Sequence, residues 1–304
     1  MLSEIFYWSF NMSIVATISG LIILLIRRIK RIPRRIIMVL WLIPFLRMLI
    51  PVGIGSKYGI MSLISKFATK TVTVFEFSDF GSISMTNCVR SAESYFPITY
   101  KVNILEDVFQ FISVIWIVIV IAFVIAFIIL YAMTIYELKD SEHLRGNIYL
   151  SHKTESPAAY GIVRPKIIVP YYLKEKDLTF IVMHEKIHIK RLDNLWRILA
   201  FFTVIIHWYN PLSWVFLKCF LSDIELSCDE KVISKCSEEN KKAYALSLIE
   251  FAENKNVLVS GFGGAKMRVR IENILSYRRI SVISYMGFSL LVGLISFALL
   301  TNAS

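Results

Sequence analysis

Long apolar runs that lack any charged side chain constrain the fold of this chain more than any other feature. The stretches 5–26, 108–136 and 280–304 contain no Asp, Glu, Lys or Arg, and about 20 apolar residues suffice to cross a bilayer as a helix. A fourth stretch, 36–54, is interrupted only by Arg47. We expect Arg47 to face a neighbouring helix or the lipid headgroups, because a buried charge is costly in lipid. The sequence therefore predicts a mainly α membrane protein with four transmembrane helices.

The composition favours a membrane protein over a soluble one. Hydrophobic residues make up 56% of the 304 residues, and the mean hydropathy of +0.60 is high for an ordinary soluble domain. The formal net charge of +11 would suit nucleic acid, but the basic residues cluster beside the apolar runs, as membrane topology requires. We therefore expect the lipid bilayer as a partner and no direct nucleic-acid binding. The four cysteines lack paired spacing, which indicates neither a disulfide scaffold nor a zinc ribbon.

The basic residues between the first two apolar runs set the predicted orientation. Six of them lie within 27–35, with no acidic residue among them, and loops rich in Lys and Arg stay in the cytoplasm. Both termini are then outside, and 55–104 forms an outer loop. We accordingly expect three parts: a membrane region over 1–136 with helices 5–26, 36–54 and 108–136, a cytoplasmic domain over 137–279, and a fourth transmembrane helix over 280–304.

The expected cytoplasmic domain contains an HExxH motif, His184-Glu185-Lys186-Ile187-His188. Residues four apart lie one turn apart on a helix, about 5–6 Å between Cβ atoms, so both imidazoles can bind one Zn²⁺. Glu185 is then placed to act as general base toward a water, and Asp193 is expected to help orient the ligand histidines. The motif predicts metal-assisted peptide hydrolysis; a pair of surface or core histidines is the alternative.

A catalytic zinc site has three protein ligands, so one more must come from outside the motif. Glu225 is the candidate. Asp229 lies on the same helix face, because it is four residues further on, and we expect it to orient a ligand histidine. Cys228 is an alternative thiolate ligand or a small buried residue. Asp223 and Glu230 are expected to be solvated charges.

The apolar run 198–217 has the length of a further membrane span, but its position argues against a single crossing. Such a crossing would separate His188 from Glu225 by roughly 30 Å, whereas ligand atoms lie about 2.0–2.2 Å from a shared zinc. We therefore predict a re-entrant or membrane-edge helical hairpin that turns near Asn210-Pro211, a turn-favouring pair. His207 at this turn is expected to be buried and hydrogen-bonded.

Short β-prone segments precede the motif. Residues 147–150 and 159–170 are expected to form strands, and Pro165 and Pro170 bracket Lys166–Val169. A Pro-flanked strand suits the edge of a sheet, where zinc proteases often bind a substrate backbone by strand addition. A strand that merely covers the helices is the alternative. The cytoplasmic domain is thus predicted to be α+β.

This ordered set of features resembles the BlaR/MecR-type integral-membrane zinc peptidases, the β-lactam signal transducers of Gram-positive bacteria. The resemblance is carried by the four-span layout, the basic first loop, Arg164-Pro165-Lys166-Ile167-Ile168-Val169-Pro170, HExxH followed by Asp193, Asn210-Pro211, Glu225 with Cys228-Asp229-Glu230, and the stretch 261–275. It implies a gluzincin-like zinc protease in the bacterial cell membrane. His184, His188 and Glu225 would bind the zinc, and Glu185 would be the base.

The resemblance also implies two substrates. One is the chain itself, and the other is a cytoplasmic DNA-binding repressor whose removal induces antibiotic-resistance or stress genes. Self-cleavage is expected between the third ligand and the last span, with these candidate residues: Ser260, Gly261, Gly263, Gly264, Lys266 and Met267.

One departure from this family concerns sensing. The family's sensors carry a penicillin-binding domain with a Ser-x-x-Lys motif after the last span, and these 304 residues contain no such motif. We expect a truncated or sensorless member, with a separate sensor protein or a homodimer as its partner. The alternatives are a housekeeping membrane zinc protease of the prenyl-protease or quality-control type, and a non-catalytic membrane signalling module. An intact Glu185 disfavours the signalling module, because a structural zinc site needs no base.

Overall fold

The computed structural model describes residues 1–29, 31–50, 56, 58, 74–77, 83–86, 104–173, 178–253, 260–277 and 282–301, and these residues are mostly helical. Their α-helices are α1 (Leu2–Arg27), α2 (Arg34–Leu40), α3 (Leu42–Leu49), α4 (Ile104–Glu137), α5 (Thr179–Lys190), α6 (Asp193–Ile206), α7 (Pro211–Ile233), α8 (Glu238–Glu253), α9 (Ser260–Ser276) and α10 (Val282–Leu300). Their strands are β1 (Val74–Phe77), β2 (Ile83–Thr86), β3 (Glu142–Arg145), β4 (Ile148–Ser151), β5 (Ala158–Tyr160) and β6 (Lys166–Pro170).

A single helix lies in each of three predicted membrane runs, and two short helices lie in the fourth. Two candidate spans are long and apolar enough to cross a membrane, α1 and the stretch Asp107–Asp140 that includes most of α4. Ser284–Leu300 within α10 is a shorter apolar helix. Large apolar side chains of α4 such as Phe111 and Leu130 are exposed, as expected for a surface that faces lipid. The predicted outer loop 55–104 lies largely outside the described residues, which there include the antiparallel pair β1–β2.

The predicted run 36–54 contains two short helices, α2 and α3, that meet at Trp41. Arg47 on α3 is fully buried. Its Nε and Nη2 donate to the carbonyl oxygens of Leu299 and Thr301, each at 2.7 Å, where α10 ends and its last carbonyls lack helical partners. The expectation that Arg47 faces a neighbouring helix is therefore confirmed.

The apolar run 198–217 turns back where the sequence predicts it. Helices α6 and α7 are joined by a short turn and pack against each other. Asn210 caps α7, because its side chain accepts a hydrogen bond from the Leu212 N–H at 3.0 Å. The Asn210 amide also donates to the hydroxyls of Ser13 and Thr17 on α1. The hairpin is thus fixed to the first helix at its turn.

His207 at this turn is buried and hydrogen-bonded, as predicted. Its Nε2 lies 3.1 Å from the carbonyl oxygen of Met48. A carbonyl can only accept a hydrogen bond, so Nε2 donates, and Nδ1 faces the hydroxyls of Ser9 and Tyr209. His207 therefore joins α1, α3 and the hairpin.

The sheet that follows α4 has the strand order β3-β4-β6-β5. Strand β6 pairs in parallel with β4 and antiparallel with β5, so the prediction that this Pro-flanked strand forms an edge is wrong. Pro165 precedes β6 and Pro170 is its last residue, so neither proline removes a donor from the middle of the strand. Strands β3 and β5 form the two edges instead.

Two hydrophobic clusters hold α5, the helix that carries the HExxH motif. One cluster packs the sheet against α5 through Ile148, Leu150, Ile167, Val169, Ile181 and Val182. The other joins α5 to α7, α8 and α9 through Ile187, Cys228, Val232, Tyr244 and Ile274. Helix α5 is therefore fixed between the sheet and the helices that supply the remaining polar residues of the site.

Candidate metal centre

Helix α5 places the side chains of the HExxH motif in a buried position. His184, Glu185 and His188 are 7%, 8% and 4% exposed. The Nε2 atoms of the two histidines lie 3.0 Å apart, because residues one turn apart share a helix face.

A carboxylate from α7 lies close to both of these Nε2 atoms. Glu225 Oε2 lies 3.5 Å from His184 Nε2, and Glu225 Oε1 lies 3.6 Å from His188 Nε2. Two ligand atoms of a tetrahedral zinc site, each about 2.0–2.2 Å from the ion, are about 3.3–3.6 Å apart. The three separations thus lie close to the spacing that one shared cation needs. The Glu225 side chain is one-third exposed, which leaves a route to this point from outside.

Cys228 provides a second donor near both imidazoles. Its Sγ and one ring nitrogen of each histidine all lie within 4.8 Å of one another. Its thiol faces the backbone carbonyl oxygen of His184 at 3.4 Å. The fold therefore brings together both residues that the sequence leaves open as third ligand, Glu225 and Cys228.

Asp193 lies behind His188. Its Oδ2 accepts a hydrogen bond from His188 Nδ1 at 2.6 Å, which leaves the Nε2 lone pair directed at the candidate metal position. Arg191 donates to both oxygens of Asp193. The residue between them, Leu192, has a left-handed backbone with φ of 56°, a conformation that costs roughly 1–2 kcal/mol for a residue other than glycine. This tight turn places Asp193 close to His188.

Tyr244 and Asp229 lie behind His184. The Tyr244 hydroxyl is 2.8 Å from His184 Nδ1 and donates to Asp229 Oδ1 at 2.6 Å, so it accepts from the imidazole. Asp229 Oδ1 is itself 3.4 Å from His184 Nδ1. Arg270 of α9 donates to both oxygens of Asp229 at 2.8 Å. Sequence reasoning did not single out Tyr244 or assign a role to Arg270, because neither belongs to a local spacing pattern.

The electrostatics of the centre favour a positive charge between the histidines. Burial lowers the pKa of His188, but hydrogen bonds with Asp193, Cys228 and Glu225 outweigh it and raise this pKa to about 10. Burial also opposes ionisation of Glu225, yet the two histidines hold the pKa of this carboxyl well below its ordinary value. Burial likewise opposes ionisation of Asp229, and Arg270 lowers its pKa to about 2. The Glu225 carboxylate thus remains ionised beside the two Nε2 atoms, which suits a proton or a metal cation there.

Asp223 and Glu230 are not the solvated charges that the sequence predicts. Asp223 is fully buried and Glu230 is 6% exposed. Asp223 Oδ2 accepts hydrogen bonds from Arg27 Nε and Trp41 Nε1, each at 2.8 Å, and Glu230 Oε1 accepts from the Arg34 backbone N–H at 3.1 Å. The end of α1 and the start of α2 thus lie against α7, and the sequence conceals this contact because nearly 200 residues separate the partners.

The candidate self-cleavage residues, 260–267, begin helix α9. Their backbone is helical, and Met267 packs among the partly buried residues of the cluster between α5 and α9. Helix α9 also carries Arg270, which binds Asp229. The candidate cleavage region is thus joined to the centre by a single helix.

Comparison with known proteins agrees with this description. The BlaR1 peptidase M56 family matches residues 7–283, and the chain belongs to that family, as the sequence resemblance predicts. Family membership together with the two long apolar helices indicates a membrane protein, and the name of the family points to a metallopeptidase.

Individual relatives match a smaller part of the chain. The regulatory protein BlaR1 of Bacillus licheniformis is 29% identical over 104 residues, which are 33% of this chain and 17% of that protein. The regulatory protein BlaR1 of Staphylococcus aureus is 30% identical over 131 residues, 40% of this chain and 22% of that protein. The methicillin resistance mecR1 protein of Staphylococcus aureus strain Mu50 is 25% identical over 107 residues, 34% and 18% of the two lengths. The chain thus spans less than a quarter of each relative.

Proposed function

We propose that this chain is a membrane-embedded zinc metalloendopeptidase of a regulatory signalling system. The observation that carries the proposal is the convergence of His184, His188 and Glu225 from two helices, with both Nε2 atoms within 3.6 Å of a Glu225 oxygen. A glutamate ligand far along the chain from HExxH is a gluzincin-like arrangement. Membership of a peptidase family supports hydrolysis.

The proposed mechanism assigns a task to each side chain of the centre. His184, His188 and Glu225 would hold zinc, which when bound supplies Lewis-acid chemistry for the attack of water on an amide carbonyl. Asp193 and Tyr244 accept hydrogen bonds from the Nδ1 atoms and keep both Nε2 atoms directed inward. Glu185, beside His184 on α5, takes the proton of the attacking water and passes it to the leaving amine nitrogen.

The edge strand β5 provides a docking position for substrate. Its only strand partner among the described residues is β6. Strand β5 also packs against α5, the helix that carries Glu185. We propose that an extended substrate adds to β5 and passes Glu185.

The proposed membrane orientation combines the positive-inside argument with the packing of α10. Near its start, Tyr285 and Ser289 line one cavity together with Arg35 of α2. At its end, the Thr301 carbonyl accepts from Arg47 of α3. Helix α10 therefore runs in the same direction as α2–α3, as expected if 36–54 and 280–304 both cross outward. Both termini would be outside and 137–279 cytoplasmic, with α6–α7 as a re-entrant hairpin in the membrane of a bacterial cell, since its turn contacts Ser9 and Met48.

The proposed substrates are a cytoplasmic transcriptional repressor and the chain itself. The relatives are named for regulation and for methicillin resistance, which supports the control of antibiotic-resistance genes. Self-cleavage within 260–267 would require the first turns of α9 to unwind, because proteases bind extended peptides. A separate sensor protein or a second copy of the chain would deliver the inducing signal.

Reconstitution in lipid vesicles with zinc tests the protease assignment. The full chain should produce fragments that mass spectrometry can map. The Glu185→Gln variant should retain zinc and lose at least about 100-fold in cleavage rate, because it keeps the ligands and lacks the base. Glu239→Gln, at an exposed glutamate of α8, is the matched control and should cleave like the wild type. Full cleavage by the Glu185→Gln variant would refute the assigned role.

A closed structural zinc site is the second candidate, and the position of Cys228 favours it. Four protein ligands, His184, His188, Glu225 and Cys228, would leave no open position for water, and the chain would then be a non-catalytic signalling module. The Cys228→Ala variant separates the two. Retained zinc and cleavage support the protease, whereas loss of zinc, with no cleavage by the wild type, supports the structural site.

A further inference from the structure

The cavity that Tyr285 and Ser289 line together with Arg35 lies where α2, α7 and α10 meet, with a volume of about 430 Å³. Its lining includes three basic side chains, Arg35, Arg191 and Lys231, and the hydroxyls of Ser227 and Ser289. The remainder of the lining is mostly apolar side chains of α2 and α10. The cavity therefore combines a basic end with an apolar wall.

This cavity lies on a different face of α7 from the candidate metal ligands. Each residue of a helix is rotated by about 100° from the one before it, so residues two apart point to nearly opposite sides. Ser227 is therefore opposite both Glu225 and Asp229. Lys231 is four residues after Ser227 and shares its face. The cavity is thus distinct from the proposed zinc position, although both use α7 and Arg191 of the lining also donates to Asp193 behind His188.

Positive charge accumulates here without a counter-ion from the lining. No acidic residue is among the residues that line this cavity. Outside the lining, Asp193 forms an ion pair with Arg191 at 2.8 Å, and Glu230 Oε1 accepts from the Arg34 N–H. Arg35 and Lys231 therefore provide the positive charge of the cavity. The positive charge of Arg35 lowers the pKa of Lys231, and burial and other basic residues lower it further.

The apolar wall belongs to helices that would face lipid. Val39 on α2 and Tyr285 on α10 are 45% and 52% exposed, and α10 has no charged residue along its length. A ligand that suits both ends of the cavity carries an anionic head and an apolar body, and basic pockets of this kind between membrane helices bind anionic lipid headgroups.

We propose that this cavity binds the phosphate group of an anionic phospholipid. Arg35, Lys231 and the Ser227 hydroxyl would surround the phosphate, and the acyl chains would lie along α2 and α10. Because Ser227 and Lys231 belong to α7, the lipid would also hold the helix that carries Glu225 against the membrane helices.

A binding experiment on the full chain in detergent micelles tests this proposal. Phosphatidylglycerol is titrated against the protein and its binding is measured by native mass spectrometry, with the unfolding midpoint as a second readout. Phosphatidylcholine tests the need for net negative charge, and inorganic phosphate tests whether the headgroup chemistry suffices without acyl chains. Phosphatidylglycerol should bind and stabilise the protein, and phosphatidylcholine should bind at least fivefold more weakly. Inorganic phosphate should compete only at millimolar concentration.

Two variants and one control assign the binding to the cavity. Lys231→Gln should weaken phosphatidylglycerol binding about fivefold, because one basic residue near an anionic surface contributes about that much. Ser289→Leu should also weaken it, by filling the cavity without a change of charge. Lys242→Gln, at an exposed lysine of α8, removes the same charge outside the cavity and should bind like the wild type.

Three results would overturn the proposal. Equal losses in Lys231→Gln and Lys242→Gln would mean unspecific attraction by the basic surface. Equal binding of the two lipids would remove the role of negative charge. Displacement of phosphatidylglycerol by micromolar inorganic phosphate would assign the cavity to a soluble phosphate compound.

Discussion

Each histidine of the candidate centre has a different kind of support behind it. His188 Nδ1 donates directly to Asp193, whereas His184 Nδ1 donates to the Tyr244 hydroxyl, which in turn donates to Asp229. A support of this kind fixes the tautomer and orientation of the ring, and its loss usually weakens metal binding about 10–100-fold. The Tyr244 hydroxyl thus takes the position behind His184 that a carboxylate takes behind His188.

The Tyr244→Phe variant should lower the zinc affinity of the protein about 10–100-fold, because His184 loses the acceptor of its Nδ1 proton. The measurement is a competition with a chelator of known zinc affinity. Tyr277→Phe is the matched control, since this tyrosine belongs to the same hydrophobic cluster and is not part of the histidine network. Equal zinc affinity of Tyr244→Phe and wild type would contradict the role of the phenol.

Sequence spacing predicts most directly those site residues that lie on one helix together. His184 and His188, or Glu225 and Asp229, share a face through helical geometry alone, and the fold does place them together. Tyr244 and Arg270 reach the centre from α8 and α9 through tertiary packing, which leaves no periodic mark in the sequence.

At the scale of elements, helix α7 belongs both to the packing of the membrane helices and to the candidate metal centre. It carries Glu225 in its second half, and in its first half Phe216 packs so closely on α1 that a Cβ at Gly20 would overlap the Phe216 ring. Small residues allow such close approach of membrane helices.

Gly20→Ala should therefore lower the free energy of unfolding by about 1–3 kcal/mol, because the added methyl overpacks this contact. The unfolding midpoint in detergent measures the change. Gly287→Ala on α10 is the control, since a Cβ there would meet nothing within 4 Å. The second substitution Phe216→Leu should restore part of the stability of Gly20→Ala, and a Gly20→Ala protein as stable as Gly287→Ala would contradict the close contact.

Arg27 at the end of α1 helps to hold α7 in position through Asp223. Arg27→Gln should destabilise the protein by about 1.5–3 kcal/mol, because the buried Asp223 carboxylate loses a charged hydrogen-bond donor. Arg31→Gln changes an exposed residue of the basic segment between α1 and α2 and should have little effect on the unfolding midpoint. Equal effects of the two substitutions would show that only the total positive charge matters.

Two predictions fail at this scale, the edge position of β6 and the exposure of Asp223, and both have the same physical cause. The prolines around β6 correctly mark where the strand begins and ends, but strand order depends on the parallel pairing of β6 with β4, which local composition does not encode. The same holds for Asp223, whose burial depends on Arg27 and Trp41 far away in the chain. The hairpin turn at Asn210-Pro211 could be predicted because the shared cation required it.

At the scale of the whole molecule, membrane elements and the HExxH domain meet on α7. Helices α1 and α2 and the basic segment between them bind one side of it, and α5, α8 and α9 pack on the side that carries the metal-binding candidates. A change in the arrangement of the membrane helices would therefore be transmitted to Glu225 through one helix. This arrangement suits a protease that a signal from the membrane controls.

X-ray absorption by zinc in the reconstituted full chain tests the central claim most directly, since it identifies the ligand atoms. Two imidazoles, one carboxylate and an open position predict only nitrogen and oxygen neighbours at about 2.0–2.2 Å. The outer-shell scattering should show two imidazole rings, and the spectrum of Cys228→Ala should be unchanged. A sulfur neighbour at about 2.3 Å that disappears in Cys228→Ala would contradict the claim.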